Sequence, residues 1–546
     1  MLGSTSRSFF SSGQQDIAAG EWTQFHYLVY LPIILLFAWR LWAFTISPRL
    51  YQGQLEYLPY WIPYIGHVIP FYRNSNALFA LAKKQFNRKL CTLRVVGEDI
   101  VMVTTAAQIA TVEKDTQTFG FEPFLDLMYD EVAKVSRDSK SILWQTRAEG
   151  FVSHSSKPRQ LTLAHSGVAL LHKQLLQADP MHRLMTNTLP YLSKTLQWDS
   201  FYETSVLASA ANVKVISLDR LSRDVIMDAQ TSAFLGPRLL ELEPDFRTIL
   251  KWWDTNSWKV WYKLPPFLAK SATCPRDRLI DVMLQYYSIP AEQRPGCVPF
   301  VNEVYDEYKH AGLPDKDIAG IVVTILWGLN SNVHLLSYWM IAHLMNNPTV
   351  VGQIREEIAP MMMSIDFSFS RNGSSLAECT KDHLLKSCPI FNSTFNETLR
   401  FTATGSSLRQ AMRDTILDGR RIPKGTSLII PQRVQTMNEA VFGPDYKAFD
   451  CYRFLRNKSV LRKADFRGFG GGATMCSGRY VGKHAVLSFL AILFWRYDLE
   501  MVKLEQDVLG VQGKHFPRLD ETKPSLGPGH PMYGDDMFLK VTPRKP

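Results

Sequence analysis

The sequence predicts a mainly α protein with a minor β part: one large domain preceded by a single N-terminal transmembrane helix. Three observations carry this. An apolar run, HYLVYLPIILLFAWRLWAFTI, fills residues 26–46. Most of residues 105–400 places apolar side chains at helical spacing with few long polar gaps. β-rich runs are confined to two short regions, 90–104 and 406–432. The chain has 546 residues, 46% of them hydrophobic, enough for a sizeable core. No linker or internal repeat divides it after the first sixty residues, so residues 71–546 read as one body.

Residues 1–25 form an N-terminal tail. Residues 26–46 match the roughly 20 apolar residues that cross a bilayer as a helix. Tyr27, Tyr30, Trp39 and Trp42 suit the interfaces, and Arg40 is expected to snorkel near the cytosolic end. A buried or interfacial helix is the alternative; the apolar run is too long for a cleavable signal. Residues 47–70, with Pro48, Pro59, Pro63 and Pro70, read as a stiff, extended connector. LCTLRVVGEDIVMVT (90–104) reads as a hairpin turning at Gly97-Glu98-Asp99. Residues 245–266 mix Trp252, Trp253, Trp258, Trp261 and Tyr262 with lysines, which suits a membrane interface and a core equally. Between Pro314 and Pro348 no proline interrupts the chain, so a helix of about 30 residues, about 45 Å, is expected. Its polar middle, Asn330 to Asn332 and His334, argues against a second membrane span and for a helix through the domain centre, facing a buried site.

Seven cysteines, odd in number, dispersed and without a CxxC pair, argue against a disulfide framework and a zinc site and fit a reducing compartment. The formal charge of +10 is mild for this length; without a Lys/Arg stripe, it gives no footprint for nucleic acid. Sequons at Asn372, Asn392 and Asn396 are expected to be chance matches in a domain facing the cytosol.

The densest chemical signal is FGGGATMCSGR, Phe469 to Arg479, followed by a strong helical pattern. Glycines permit tight turns and close approach to a flat ligand. Cys476 just before a helix start meets free N–H groups and a dipole that stabilise a thiolate, and such a thiolate is a good axial ligand for haem iron. A buried structural cysteine is the bland alternative. The spacing Phe469, Gly472, Cys476, Gly478 resembles the haem-ligand loop of the cytochrome P-450 family. Glu397 and Arg400 in FNETLR match that family's E-x-x-R pair and share one helix face. In FDCYRFL, Arg453 stands where the family places a second arginine, although Cys451-Tyr452 replaces the usual proline-glutamate.

The resemblance covers most of the chain. It implies the P-450 fold, haem b held by Cys476, and a Glu397–Arg400–Arg453 cluster on the proximal side. It also implies that Arg409 pairs with a haem propionate and that Arg479 assists charge balance or packing near the haem. The tail around Leu526–Pro531 would line the pocket. By alignment Ser331 and Asn332 take the places of the acid and threonine that help deliver protons in most members, and neither is a carboxylic acid. Thr474 stands where arginine or histidine is usual. ATMCSGR, with an asparagine in the central helix, looks like the sterol 7α-hydroxylase and prostacyclin synthase branch, where the relay is either crippled or carried by water. Six basic residues between Arg453 and Arg467 would steer an acidic flavoprotein reductase, the alternative being a solvated loop.

Together these imply a monooxygenase of a bulky apolar substrate (sterol, terpenoid or other lipid-like secondary metabolite). NADPH-cytochrome reductase, with cytochrome b5 as a further donor, would supply electrons. The expected setting is the endoplasmic reticulum membrane with the domain facing the cytosol, in a eukaryotic, for instance fungal biosynthetic, pathway. A reductase-independent peroxide isomerase or dehydratase and a haem-binding carrier or sensor are the competing readings.

Overall fold

The computed structural model describes residues 30–51, 53–87, 89–145, 162–364, 380–462, 466–523, 525 and 527–544. The tail 1–25, the start of the apolar run, Asn372, Cys379, Lys463 and Leu526 lie outside them. Helices dominate, with a five-stranded sheet, a four-stranded sheet and two two-stranded ones among the described residues.

The N-terminal apolar helix runs Tyr30–Leu50 and is not buried against the body. It continues past Ser47, where an extended connector was expected. Pro48 occupies the first turn of Ser47–Leu50, and the turn before it, Trp42–Ile46, widens to a π-helix. That widening accommodates the missing N–H and the proline ring. Arg40 stacks on Trp61, 4.0 Å from its ring centroid, and donates to the Tyr60 carbonyl instead of extending alone. The connector ends early, because a helix spans Val68–Phe86 with Pro70 in its first turn.

The larger sheet is five-stranded, in the spatial order Cys91–Val95, Glu98–Met102, Ser427–Pro431, Ser406–Ala411, Phe119–Gly120. The first hairpin turns one position earlier than expected. Val96 and Gly97 carry positive φ (51° and 80°), and Glu98 and Asp99 belong to the strand. Asp99 lies opposite Arg94, and the pair closes at 2.6 Å, a cross-strand ion pair that favours this register. The second sheet runs Tyr497–Met501, Phe538–Pro543, Val213–Ser217, Val206–Ala210.

The central helix spans Asp315–Met345 as the proline spacing predicts. Pro314 sits at its start, Asp315 and Asp317 complement the dipole there, and Pro348 begins the next helix. By length and composition it resembles a membrane span, but 72% of its apolar window is buried inside the body. Gly320 is needed for that burial, because a Cβ there would lie 1.9 Å from the Ala133 carbonyl oxygen. The helix threads two hydrophobic cores. Ile318 to Trp327 belong to one, Val333 to Leu344 to the other, and Gly328–Asn332 falls at the seam.

The helix Arg479–Arg496 crosses the same seam: Val481 joins the first core and Ala485 to Phe494 the second. The aromatic stretch 245–266 is mostly core. Trp253 is fully buried, Trp261 stacks on Trp327, Tyr262 packs on Phe71, and of its tryptophans Trp252 is the exposed one.

Candidate active site

At the seam the central helix opens along one side. Thr324, Ile325, Gly328, Leu329 and Asn332, spaced three and four apart, keep accessible surface while their neighbours are buried. Asn332 belongs to this stripe and Ser331 does not. Ser331 is 2% exposed and its Oγ has no hydrogen-bond partner, so the two residues read as a relay are not presented together. Asn330 is turned inward, with Nδ2 donating to Thr231 Oγ1 at 3.2 Å. Gly527, from the C-terminal tail, lies so close to Asn332 that a Cβ on it would sit 2.7 Å from Oδ1.

The cysteine loop reaches the same seam, because Gly482, in the first turn of the following helix, abuts Val333 of the central helix. The loop closes on itself through the Cys476 N–H, which donates to the Phe469 carbonyl at 2.8 Å. Phe469 stacks on Phe395, at 6.2 Å and 22°, which ties the loop to the helix carrying Glu397. Cys476 is exposed to the opening. Burial within the surrounding protein nevertheless pushes its thiol above the ordinary range, against the N–H groups of Gly478 and Arg479 and the Arg479 charge. The helix start therefore does not by itself produce the expected thiolate. Its contribution is of order 1 kcal/mol, less than the desolvation it opposes; a bound metal ion deprotonates a coordinated thiol outright.

The glycines divide differently from the sequence expectation. Gly472 has φ 61°, and a Cβ there would meet the Glu113 carbonyl at 2.6 Å; one on Gly471 would strike the Glu113 carboxylate. Two of the three consecutive glycines thus admit Glu113, which pairs with Arg467 at 2.9 Å. Gly478 is under no such demand: its φ is −78°, and a Cβ would lie in ordinary contact, 3.8 Å from Cys476 Sγ. Arg479 is engaged within the loop, donating to the Cys476 carbonyl at 2.8 Å and stacking on Tyr480.

Thr474 finds its partner in Arg409. The guanidinium donates to Thr474 Oγ1 and to the Leu408 carbonyl, and lies 5.4 Å from the centroid of the Phe121 ring. Arg409 is 5% exposed, its Nε has no hydrogen-bond partner, and burial lowers its pKa. Among the described residues no carboxylate forms an ion pair with it, although the Glu113 and Glu122 charges partly offset its burial, so a buried cation without a direct partner faces the loop.

The buried charge cluster behind the loop is complete. Arg400 grips Glu397 with two bonds of 2.7 Å, and both are fully buried. Arg453 donates to the same carboxylate at 3.2 Å, and the Asp450 N–H donates to it at 3.0 Å. The arginines also bond the carbonyls of Thr436, Tyr446, Ala448, Phe442 and Asp445. Arg453 joins despite the altered residues before it, because its donors meet backbone carbonyls that any sequence supplies.

A family model described as Cytochrome P450 matches residues 228–516, more than half of the chain. The chain belongs to the cytochrome P450 family. Among curated proteins it is 21% identical over 486 residues to the cytochrome P450 monooxygenase nodJ of Hypoxylon pulicicidum, covering 86% of this chain and 87% of that protein. It is 20% identical to poxD of Penicillium oxalicum (87% and 92% covered) and 22% identical to calL of Penicillium decumbens (78% and 81%), both cytochrome P450 monooxygenases.

This P450 is an oxygenase enzyme of a haem-thiolate family, in which a cysteine ligates the haem iron. Its residues fit that group: an exposed cysteine ahead of a helix that packs on the central helix, an accessible apolar stripe on that central helix, and a buried arginine with no ion-pair partner among the described residues. If Arg409 holds a haem propionate, Arg409→Leu weakens haem retention about tenfold or more, the scale of a hydrogen bond to a charged group. Haem absorbance per protein after gel filtration measures this, and unchanged retention removes Arg409 from the site.

Sequence reasoning missed Glu113, whose only signal is its place at the end of an ordinary helix, Ala106–Lys114. It also overcounted the basic face. Arg453 is buried in the cluster and Arg467 pairs with Glu113, while Arg456, paired with Asp450, and Lys458 stay exposed.

Proposed function

We propose that this P450 inserts oxygen from O2 into a bulky, apolar, lipid-like substrate, with electrons from NADPH through a flavoprotein reductase. Cys476 is assigned as the iron ligand, Arg409 as the propionate partner, and Phe469 and the loop glycines as its scaffold. The observation that carries the reading is the apolar stripe Ile325, Gly328, Leu329, open in an otherwise buried helix whose next turn, at Val333, packs on the helix that follows the Cys476 loop. When bound, the haem supplies oxygen activation, which its thiolate ligand favours by electron donation. The stripe provides an apolar wall that excludes water and orients a hydrocarbon surface. Asn332 is its polar member without a hydrogen-bond partner among the described residues; its amide holds a water or a substrate group in place but does not titrate as a carboxylic acid does.

The reading includes a membrane setting: the exposed helix Tyr30–Leu50 as the anchor of a domain spanning 71–546. Exposed Trp61, Ile62, Tyr64 and Ile69 adjoin it in sequence and favour a lipid surface beside the anchor. The endoplasmic reticulum, cytosolic face, is the compartment proposed. Membership of the family implies a redox partner; NADPH-cytochrome reductase, with cytochrome b5 assisting, is the one proposed.

Reconstitution with a microsomal reductase tests the chemistry. NADPH- and O2-dependent product from lipid-like substrates is expected. Conversion of a lipid hydroperoxide without NADPH, and no NADPH-dependent product, would instead establish the isomerase reading; haem binding without either reaction would leave a carrier.

A further inference from the structure

Asp254 is a buried carboxylate that neither the iron ligand nor the Glu397 cluster uses. It lies on the helix Phe246–Asn256 and draws partners from two distant elements. Trp327 Nε1, on the central helix, donates to Oδ1 at 2.7 Å. His530 Nε2, on the C-terminal tail, lies 3.2 Å from Oδ2. Burial pushes the Asp254 carboxyl up, but the His530 contact and neighbouring charges outweigh it, so it is held below the usual range as a carboxylate.

The tail carrying His530 is fastened at the seam. Gly527 abuts Asn332, the Gly529 carbonyl accepts from Trp339 Nε1 at 2.8 Å, and the Gly529 N–H donates to the Thr402 carbonyl at 2.8 Å. Oδ2 makes no aligned hydrogen bond, so this is a contact of charge and proximity; the ring turns Nε2 toward a carboxylate that only accepts, which places the proton on Nε2 and leaves Nδ1 on the far side of the ring. Among the described residues Nδ1 has no partner, and the His530 side chain keeps 21% of its surface accessible. Two indole N–H groups around the same Trp327 are also unmatched. Trp253 packs on it at 5.2 Å and Trp261 stacks on it at 6.0 Å, and Nε1 of each is buried without a hydrogen bond. Buried polar atoms in proteins are nearly always paired. Here two acceptors, Asp254 Oδ2 and the ring nitrogen of His530, and two indole donors stand unpaired around the Asp254–Trp327 contact.

A hydroxyl matches this set, since its proton meets an acceptor and its oxygen accepts from donors. A carboxylate does not: it brings no proton for Nδ1 and meets the Asp254 charge. We propose that Asp254 and His530 form a binding subsite for a hydroxyl group on the apolar substrate, with His530 Nδ1 as the acceptor. The substrate is then an alcohol before this enzyme acts on it, so an oxygenation, reduction or hydrolysis that leaves a free hydroxyl precedes this step. The proposal rests on the reading of the chain as an oxygenase of an apolar substrate, and names its anchoring group.

The test is binding without turnover. Full-length, haem-loaded protein is titrated with matched probes, an alcohol and its deoxy hydrocarbon, on C15 terpene, C20 terpene and steroid skeletons; tryptophan fluorescence is the readout. In at least one pair the wild type binds the alcohol about tenfold tighter, the scale of one or two net hydrogen bonds. His530→Phe removes that preference and leaves the hydrocarbon Kd unchanged; His530→Asn, with a hydrogen-bonding group, recovers part of it. Asp254→Asn, which no longer fixes the imidazole, also lowers it. The carbon monoxide difference spectrum of each variant reports whether it folds. No alcohol preference on any skeleton, or a preference that persists in a folded His530 variant, overturns the subsite. Wild-type NADPH-dependent turnover without the preference sinks the subsite alone; the preference without such turnover sinks the oxygenase reading alone.

Discussion

Cys476→Ser abolishes the thiolate-type carbon monoxide band of the reduced protein and NADPH-dependent turnover with it. A serine hydroxyl ionises far less readily than a thiol and is a harder, weaker ligand for iron. No other described cysteine substitutes for it. Cys91, Cys388 and Cys451 are buried, with thiols pushed up to about 12, 12 and 11 by burial above all, and all three are packed in hydrophobic cores. Cys274 and Cys297 lie on or beside the helix Pro266–Ser288, away from the loop in sequence. Haem content should fall less than the spectral signal, because Arg409 and the apolar stripe remain. Retention of the thiolate band in Cys476→Ser would refute the ligand assignment.

Glu397→Ala has the largest expected effect on stability. It leaves Arg400 fully buried and Arg453 nearly so without their shared carboxylate. Breaking a buried pair from one side costs about 3–5 kcal/mol, because the remaining charge stays desolvated. The loss is compounded here, since Glu397 also accepts the Asp450 N–H and the two arginines bond the carbonyls of 436–448. Reduced soluble expression and a Tm lower by several degrees are expected, with haem lost as the loop loosens. Thermal unfolding followed at the haem band and by far-UV circular dichroism measures both. Glu397→Gln should be milder, because it keeps an acceptor. A wild-type melting temperature for Glu397→Ala would show that the cluster does not hold the loop.

Much of the fold was legible in the sequence because its signals are local. The central helix followed from uninterrupted apolar periodicity between two prolines, and the first hairpin from two β-rich runs around a glycine. The turn itself was misplaced by a residue because Asp99, read as turn-forming, pairs with Arg94 across the strands, and an ion pair across strands leaves no mark in a local pattern. The connector was read as extended because prolines usually end helices; a π-turn before Pro48 absorbed it.

At the site the division is similar. Phe469, Cys476, Glu397 and Arg400 stand at spacings that one loop or one helix turn imposes, so the sequence alone determined where the ligand candidate and the buried pair lie. Tertiary packing decided the rest. It placed Thr474 against Arg409, 65 residues apart, and filled the space above Gly471 and Gly472 with Glu113 rather than leaving it for a ligand. It separated Ser331 from Asn332 by turning one into the protein and the other to the opening. It brought Asp254, Trp327 and His530 together from three elements. The physical reason is range: backbone propensity and helical period act over a few residues, whereas hydrogen bonds and the desolvation of charge depend on which distant surfaces close over one another.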